Sequence, residues 1–313
     1  MAAKPQGTKP KVSVVLATSR ADSSPFLEAA VESVLHQDYS LFELLIVDDG
    51  SPSSHAISRL VQTDPRINSI RVSGIGVARA RNIGANHTEG SLIAFLDDDD
   101  LWESDRLTRH LAVMDSNPNA VISYCRMKTI DETGREIAPG DQTPVRDIHD
   151  VYRRTTGILM PNMVIRRSAF IQVGGFDPAF EIAEDLDLLL RLAKVGNVAF
   201  VDGRPLVSYR SHADNTTLRH RDVAVSVKAV LQLHKWAALQ RNDRVLAADL
   251  ASSIRANGRY AAWGTSRAVR GLVRNGHIGS AISEIAWAAR FAPGAPVSWL
   301  ARRIGPGRRA KTQ

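Results

Sequence analysis

Apolar positions along the chain form short unbroken runs, separated by stretches where they recur every three or four residues. Val12–Ala17 (VSVVLA), Phe42–Val47 (FELLIV) and Ser91–Leu96 (SLIAFL) are nearly continuous, the mark of strands buried on both faces. Between them, Leu27, Val31, Val34 and Leu35 follow Pro25 at helical spacing. Ser54–Val61 and Gly76–Asn86 read as helices, and Ile67–Val72 as a short strand. Ser104 is expected to cap a helix carrying Leu107, Leu111 and Met114, and Ala120–Met127 to form a further strand. Alternating strands and helices predict an α/β fold, a mostly parallel sheet covered on both faces.

Residues 128–160 are polar and read as irregular, with a turn at Asp131–Gly134. Pro161–Arg166 is expected to be a strand, Gly174–Pro178 a loop and Glu184–Lys194 an amphipathic helix. Val198–Val201 and Leu206–Tyr209 read as short strands. From Asp222 onward the pattern is helical, with breaks at Arg241–Asp243 and at Pro293 and Pro296.

Composition narrows the picture. The 313 residues suffice for one large domain with a helical extension. A chain 44% hydrophobic and 23% charged is neither disordered nor fibrous. The single cysteine, Cys125, excludes an intrachain disulfide and a multi-cysteine zinc site. No run reaches the ~18 apolar residues of a membrane span, and Val12–Ala17 is too short for a signal peptide. The expectation is a cytoplasmic chain whose Asn-x-Thr sequons at Asn86 and Asn215 are chance matches.

Charge is unevenly divided. Residues 1–202 carry 21 Lys and Arg against 28 Asp and Glu, whereas 203–313 carry 19 against 5. Trp236, Trp263, Trp287 and Trp299 lie within the basic part. Two readings stand: peripheral docking on the inner face of an anionic membrane, or an ordinary helical subdomain with a solvated basic face and tryptophans in its core.

Acidic residues mark two strand ends. Asp48-Asp49-Gly50-Ser51 follows the second strand and Asp97–Asp100 the fourth. In open α/β sheets ligands bind beyond the carboxyl ends of the strands, so both point at one crevice. Four consecutive aspartates repel one another. As hard oxygen ligands they suit Mg²⁺ or Mn²⁺ shared with a diphosphate, though a solvated acidic turn or a helix-start cluster would also use them. A dinucleotide site is disfavoured. Its G-x-G-x-x-G would follow the first strand, where the chain reads Ala17-Thr18-Ser19-Arg20.

The ordered set VSVVLAT (12–18), FELLIVDDGS (42–51), GVARARNIGA (76–85), SLIAFLDDDDLW (91–102), GGFDPAF (174–180), EDLDLLLRL (184–192) and YRSHADNTT (209–217) resembles the inverting family 2 glycosyltransferases of the GT-A fold. One departure is Ala17–Arg20, where the family usually has a Pro-Thr-Tyr-Asn-like turn. The resemblance implies a GT-A domain over 11–217; the residue pattern around it gives a flexible 1–10, a helical region over 218–301 and a basic tail over 302–313. It implies transfer of a sugar from a nucleotide-diphosphate sugar to a glycan or glycolipid acceptor in polysaccharide or glycolipid synthesis, with Mg²⁺ or Mn²⁺ and without nucleic acid. Asp49 resembles the base-binding carboxylate, with Asp48 beside it. Asp97-Asp98-Asp99 resembles the D-x-D motif, with Asp99 on the metal, Asp97 or Asp98 near the ribose, and Asp100 as the extra acid that often follows. Arg79, Arg81 and Asn82 match the basic helix near the donor. Glu184-Asp185 resembles the E-D motif, with Asp185 as general base and Glu184 toward the acceptor. His212 is a metal or diphosphate contact by likeness, or a structural histidine. Trp102 stacks on an acceptor sugar or sits in the core. The alternatives are a nucleotidyltransferase and a non-catalytic sugar-nucleotide-binding protein.

Overall fold

The computed structural model describes residues 10–294. The chain divides into two compact units between Ala213 and Asp214, just ahead of the 217/218 boundary read from the sequence.

In chain order the first unit contains β1 (Val12–Thr18), α1 (Leu27–Leu35), β2 (Phe42–Asp49), α2 (His55–Thr63), β3 (Ile67–Val72), α3 (Val77–Asn86), β4 (Leu92–Asp97), β5 (Leu101–Trp102) and α4 (Arg106–Ser116). Then come β6 (Ala120–Cys125), β7 (Met127–Ile130), β8 (Glu136–Ala138), α5 (Ile148–Tyr152), β9 (Met163–Arg166), α6 (Arg167–Gln172), α7 (Glu184–Leu192), β10 (Asn197–Val201) and β11 (Val207–Arg210). Seven strands form the main sheet in the order β10-β6-β9-β4-β1-β2-β3. All are parallel except β9, which runs against both β4 and β6. This is the mostly parallel α/β sheet that the unbroken apolar runs predict. β1, β2 and β4 lie in its middle, and their Val, Leu, Ile and Phe side chains are buried. Register fixes the crevice: Thr18 pairs with Asp48, and Ala17 with Asp97. The polar ends of three adjacent strands therefore emerge side by side.

Two glycines allow close approach here. A Cβ on Gly84 would run into Val15 and Val47, so glycine lets α3 lie directly on β1 and β2. Gly50 has φ +82°, and a Cβ there would meet the Gly74 backbone nitrogen at 2.9 Å. The loop after β2 thus packs against the loop after β3.

The second sheet, β5-β11-β7-β8, was not legible as a sheet. The run Ala120–Met127, expected as one strand, is divided: β6 ends at Cys125 in the main sheet and β7 begins at Met127 in the small one. Residues 128–160, expected to be irregular, hold most of β7, β8 and α5. Strands of three or four residues are too short to show a period. Ser104 does not cap α4; the residue before that helix is Asp105, which makes no side-chain capping bond. Asp147 does cap α5, accepting from the His149 and Asp150 amides.

Among its described residues the second unit holds three α-helices, α8 (His220–Gln240), α9 (Arg244–Arg274) and α10 (Ile278–Phe291). α9 packs against both others. Asp243 caps α9 through the Leu246 amide at 2.9 Å, and Asn257 donates across to the Ala224 carbonyl on α8 at 2.8 Å. Among the described residues the tryptophans do not form a core: Trp236 is 61% and Trp263 44% exposed. Trp287 is half-buried and stacks on Phe291 at 5.0 Å. Trp299, the tail over 302–313 and nearly all of 1–10 lie outside the described residues. Among the described residues no helix is long and apolar enough to cross a membrane.

Candidate active site

The site is built from the ends of β1, β2 and β4, the start of α7 and the segment after β11. The four aspartates after β4 each have their own environment. Asp97 accepts from Arg81 Nη2 at 2.7 Å. Asp98 accepts from Thr18 Oγ1 at 2.5 Å and from Arg20 Nη2 at 2.8 Å. Asp99 Oδ2 lies 2.8 Å from both Arg20 Nη2 and His212 Nε2. Asp100 is fully buried (0% exposed). Its Oδ1 accepts from the Arg210 amide at 2.9 Å, and its Oδ2 has no partner. Burial, then the charges of Asp97 and Asp99, push the Asp100 carboxyl well above the usual carboxylate range.

Oxygens of Asp97, Asp99 and Asp100 lie within 4.8 Å of one another. An orphaned, fully buried oxygen beside two carboxylates is what a hard divalent cation requires, so the donor set fits Mg²⁺ or Mn²⁺. His212 stands outside this trio, with its Nε2 directed to Asp99. Arg210 braces the run from behind, donating to the Asp99, Asp131 and Glu132 carbonyls.

Arg81 connects this cluster to α7. It is buried, and while one guanidinium nitrogen holds Asp97 the other holds Glu184 Oε1 at 2.7 Å. One guanidinium therefore separates the D-x-D run from the E-D pair. Burial pushes the Glu184 carboxyl up to about 7; Arg81 pulls it back and Asp185 adds to the rise. A folded-state pKa above the ordinary 4.5 means the native state holds a proton that the unfolded chain releases. The stability contributed by that proton is present below about 4.5 and is lost as pH rises through about 7. Glu184→Gln is expected to flatten the melting temperature between pH 5 and 8 relative to the parent; parallel curves for the two proteins would show that Glu184 is ionised throughout.

Asp185 is half-buried at the first turn of α7. Its Oδ1 accepts from the Leu186 amide at 2.7 Å and its Oδ2 from the Met160 amide at 3.4 Å. The preceding Ala183 sits in the left-handed region at φ +68°, a position strained for a residue with a Cβ and common at functional sites.

Several sequence-assigned residues hold protein rather than open space. Asp49 accepts from the Ile75 and Gly76 amides at 2.6 and 2.8 Å, clamping the loop between β3 and α3. Asp48 is tied to the Ser51 amide, Ser54 and Arg71; burial works to raise its pKa, but these partners together hold it low. Asn82 makes a reciprocal pair with the Phe176 backbone, at 2.8 and 2.9 Å, and so pins the GGFD loop. Arg79 is exposed and donates to the Ile75 carbonyl. Trp102, for which the sequence left two roles, takes the core one. It is 5% exposed and packs in the hydrophobic core, with the Arg106 guanidinium 3.8 Å from its ring centroid. Arg106 is itself fully buried and donates to the Pro161 and Met163 carbonyls.

Sequence reasoning passed over Arg20 as a site residue. The signal was present: where the resembled family has its turn after the first strand, this chain carries a cation, and the strand register sets that end beside the four aspartates.

Comparison with known proteins bears on this geometry. Residues 13–174 match the family model described as Glycosyl transferase family 2. An uncharacterized glycosyltransferase of Rickettsia felis is 38% identical over 109 residues, 34% of this chain and 18% of that protein. The Escherichia coli protein named UDP-Glc:alpha-D-GlcNAc-diphosphoundecaprenol beta-1,3-glucosyltransferase WfgD is 28% identical over 195 residues, 61% of this chain and 73% of its own length. The chain spans 18% to 56% of the length of the first curated relatives it matches. Among solved structures, that of S. aureus TarS 1-349 in complex with UDP-GlcNAc superposes with a TM-score of 0.63 at 15% identity, covering 96% of this chain and 93% of TarS 1-349. At that identity the likeness concerns the fold.

Proposed function

The chain belongs to glycosyl transferase family 2, and from that membership we propose that it moves a sugar from a nucleotide-diphosphate sugar to an acceptor hydroxyl, with inversion, in glycan assembly. Two of its likenesses carry UDP sugars in their names, WfgD with UDP-Glc and TarS with UDP-GlcNAc, so a UDP sugar is the donor class to test first. The observation that carries the reading is the Arg81 bridge between Asp97 and Glu184, which brings the E-D pair against the acidic cluster.

In this reading Asp97, Asp99 and Asp100 hold Mg²⁺ or Mn²⁺. The ion, when bound, offsets charge on the leaving diphosphate. Arg81 keeps Asp97 and Glu184 at fixed separation. Asp185, held by the Leu186 amide through one oxygen, presents its other oxygen to the acceptor proton; the Met160 amide makes only a long 3.4 Å contact with that oxygen. A hydroxyl is far too weak an acid to ionise at neutral pH, so a carboxylate within hydrogen-bond reach takes that proton as the oxygen attacks. Attack from the face opposite the diphosphate inverts the anomeric carbon and requires no protein nucleophile. Incubating the protein with UDP-glucose, UDP-GlcNAc and lipid-diphosphate sugar acceptors, with and without Mn²⁺, tests the reading; release of UDP without any glycosylated product across the panel would count against it.

Arg20 modifies the metal site in this scheme. Asp99 Oδ2 already accepts from Arg20, so the guanidinium and a divalent ion compete for the same carboxylate. Arg20→Ala is expected to tighten Mn²⁺ binding several-fold, read by paramagnetic resonance titration of free Mn²⁺. An unchanged or weaker affinity would show that Arg20 does not oppose the ion.

A further inference from the structure

The second unit carries a surface that the transfer chemistry does not use. On α9, Arg255, Arg259, Trp263, Arg267, Arg270 and Arg274 recur every three or four residues, which sets them in one row along the helix. At a rise of ~1.5 Å per residue the row is roughly 28 Å long. None of the six is buried. Trp263 has the Arg267 guanidinium 4.9 Å from its ring centroid and the half-exposed Tyr260 at 5.8 Å. The row begins beside a cavity of about 290 Å³ that Lys228, Arg255 and Arg259 share with Ile254 and Phe291.

A solvated basic helix face is ordinarily interleaved with acids three or four residues away. Here that compensation is missing: the one acidic residue of α9, Asp249, is buried. Arg255 and Arg259, Arg267 and Arg270, and Arg270 and Arg274 are like-charged neighbours at repelling spacings. An anionic partner removes that repulsion. Aromatic rings within the row suit a membrane interface, and α10 adds an exposed apolar row of its own at Ile278, Ile282 and Ile285. Apolar rows favour a lipid surface over a nucleic acid, whose phosphate backbone rewards charge alone.

We propose that the basic-aromatic face of α9 docks the protein on an anionic phospholipid bilayer. The arginines lie at the lipid phosphates, with Trp263 and Tyr260 at headgroup depth. The proposal rests on the basic-aromatic row of α9 and the exposed isoleucines of α10 and does not depend on the transfer reaction.

The test is co-sedimentation of the full chain with phosphatidylglycerol–phosphatidylcholine vesicles and with phosphatidylcholine vesicles alone, at low and high salt. Binding is expected on the anionic vesicles only and is expected to fall as salt rises. The triple variant Arg267→Gln/Arg270→Gln/Arg274→Gln is expected to bind on the order of a hundredfold more weakly, with an unchanged melting temperature because these side chains are exposed. Trp263→Ala is expected to weaken binding without changing its salt dependence. Three results would overturn the proposal: no pelleting of the intact chain with anionic vesicles at low salt, equal pelleting with neutral vesicles, or a triple variant that binds as well as its parent. Light scattering without vesicles covers the remaining occupant, since a dimer lost in the triple variant would assign the face to a second copy of the chain.

Discussion

Asp185→Asn is expected to lower turnover by about 10²–10⁴-fold while donor affinity stays close to that of the parent. The substitution preserves shape, leaves an oxygen to accept from the Leu186 amide and gives up only the long 3.4 Å bond from the Met160 amide, so α7 should start as before. What it removes is basicity. Donor affinity should hold because the residues joining α7 to the acidic cluster are Glu184 and Arg81, and among the described residues Arg81 pairs with Asp97 and Glu184 and not with Asp185. Separate measurement of kcat and of donor dissociation distinguishes the roles. Lost donor affinity with normal turnover would make Asp185 a donor-binding residue and leave the acceptor proton without a base.

Asp99→Ala is expected to abolish metal-dependent transfer, with the loss approaching the whole of the metal's contribution. Asp99 is the aspartate common to three contacts: the carboxylate trio, Arg20 and His212. Its removal leaves two carboxylates for an ion that prefers several hard oxygens. The fold should survive, because Arg20 retains Asp98, and Asp100 retains the Arg210 amide. Circular dichroism checks the fold and Mn²⁺ titration checks the site. A variant that keeps normal turnover and unchanged Mn²⁺ dependence would remove Asp99 from the metal assignment.

These expectations show what the sequence could and could not reveal. β1, β2 and β4 were legible because a strand buried on both faces must be apolar throughout, and the acids that stop them were legible because nothing apolar explains them. The joining of those acids into one crevice followed from parallel topology. The identities of their partners did not. Arg81 reaches Glu184 across 103 positions of sequence, and Arg20 reaches Asp99 across 79. No local pattern encodes such pairings. Asn82 and Asp49 look like ligand contacts in a motif, and no local pattern shows that Asp49 also accepts from the Ile75 and Gly76 amides or that Asn82 pairs with the Phe176 N–H and carbonyl. Trp102 shows the same limit from the other side: a tryptophan after an acidic run reads equally as a stacking platform or a core residue, and the buried Arg106 against its ring settles which. Asp185 had no local signal beyond an acid pair at a helix start; resemblance alone gave it a catalytic meaning.

The most direct test of the central claim is a thermal-shift titration with UDP and other nucleotide diphosphates, with and without Mn²⁺, on the parent chain and on Asp99→Ala. Ligand bound only by the folded state raises the melting temperature according to its excess over the dissociation constant. The predicted result is a shift with a nucleotide diphosphate that requires Mn²⁺ in the parent and vanishes in Asp99→Ala. A nucleotide shift of equal size without metal, or one that persists in the variant, would contradict a metal site built on Asp97, Asp99 and Asp100.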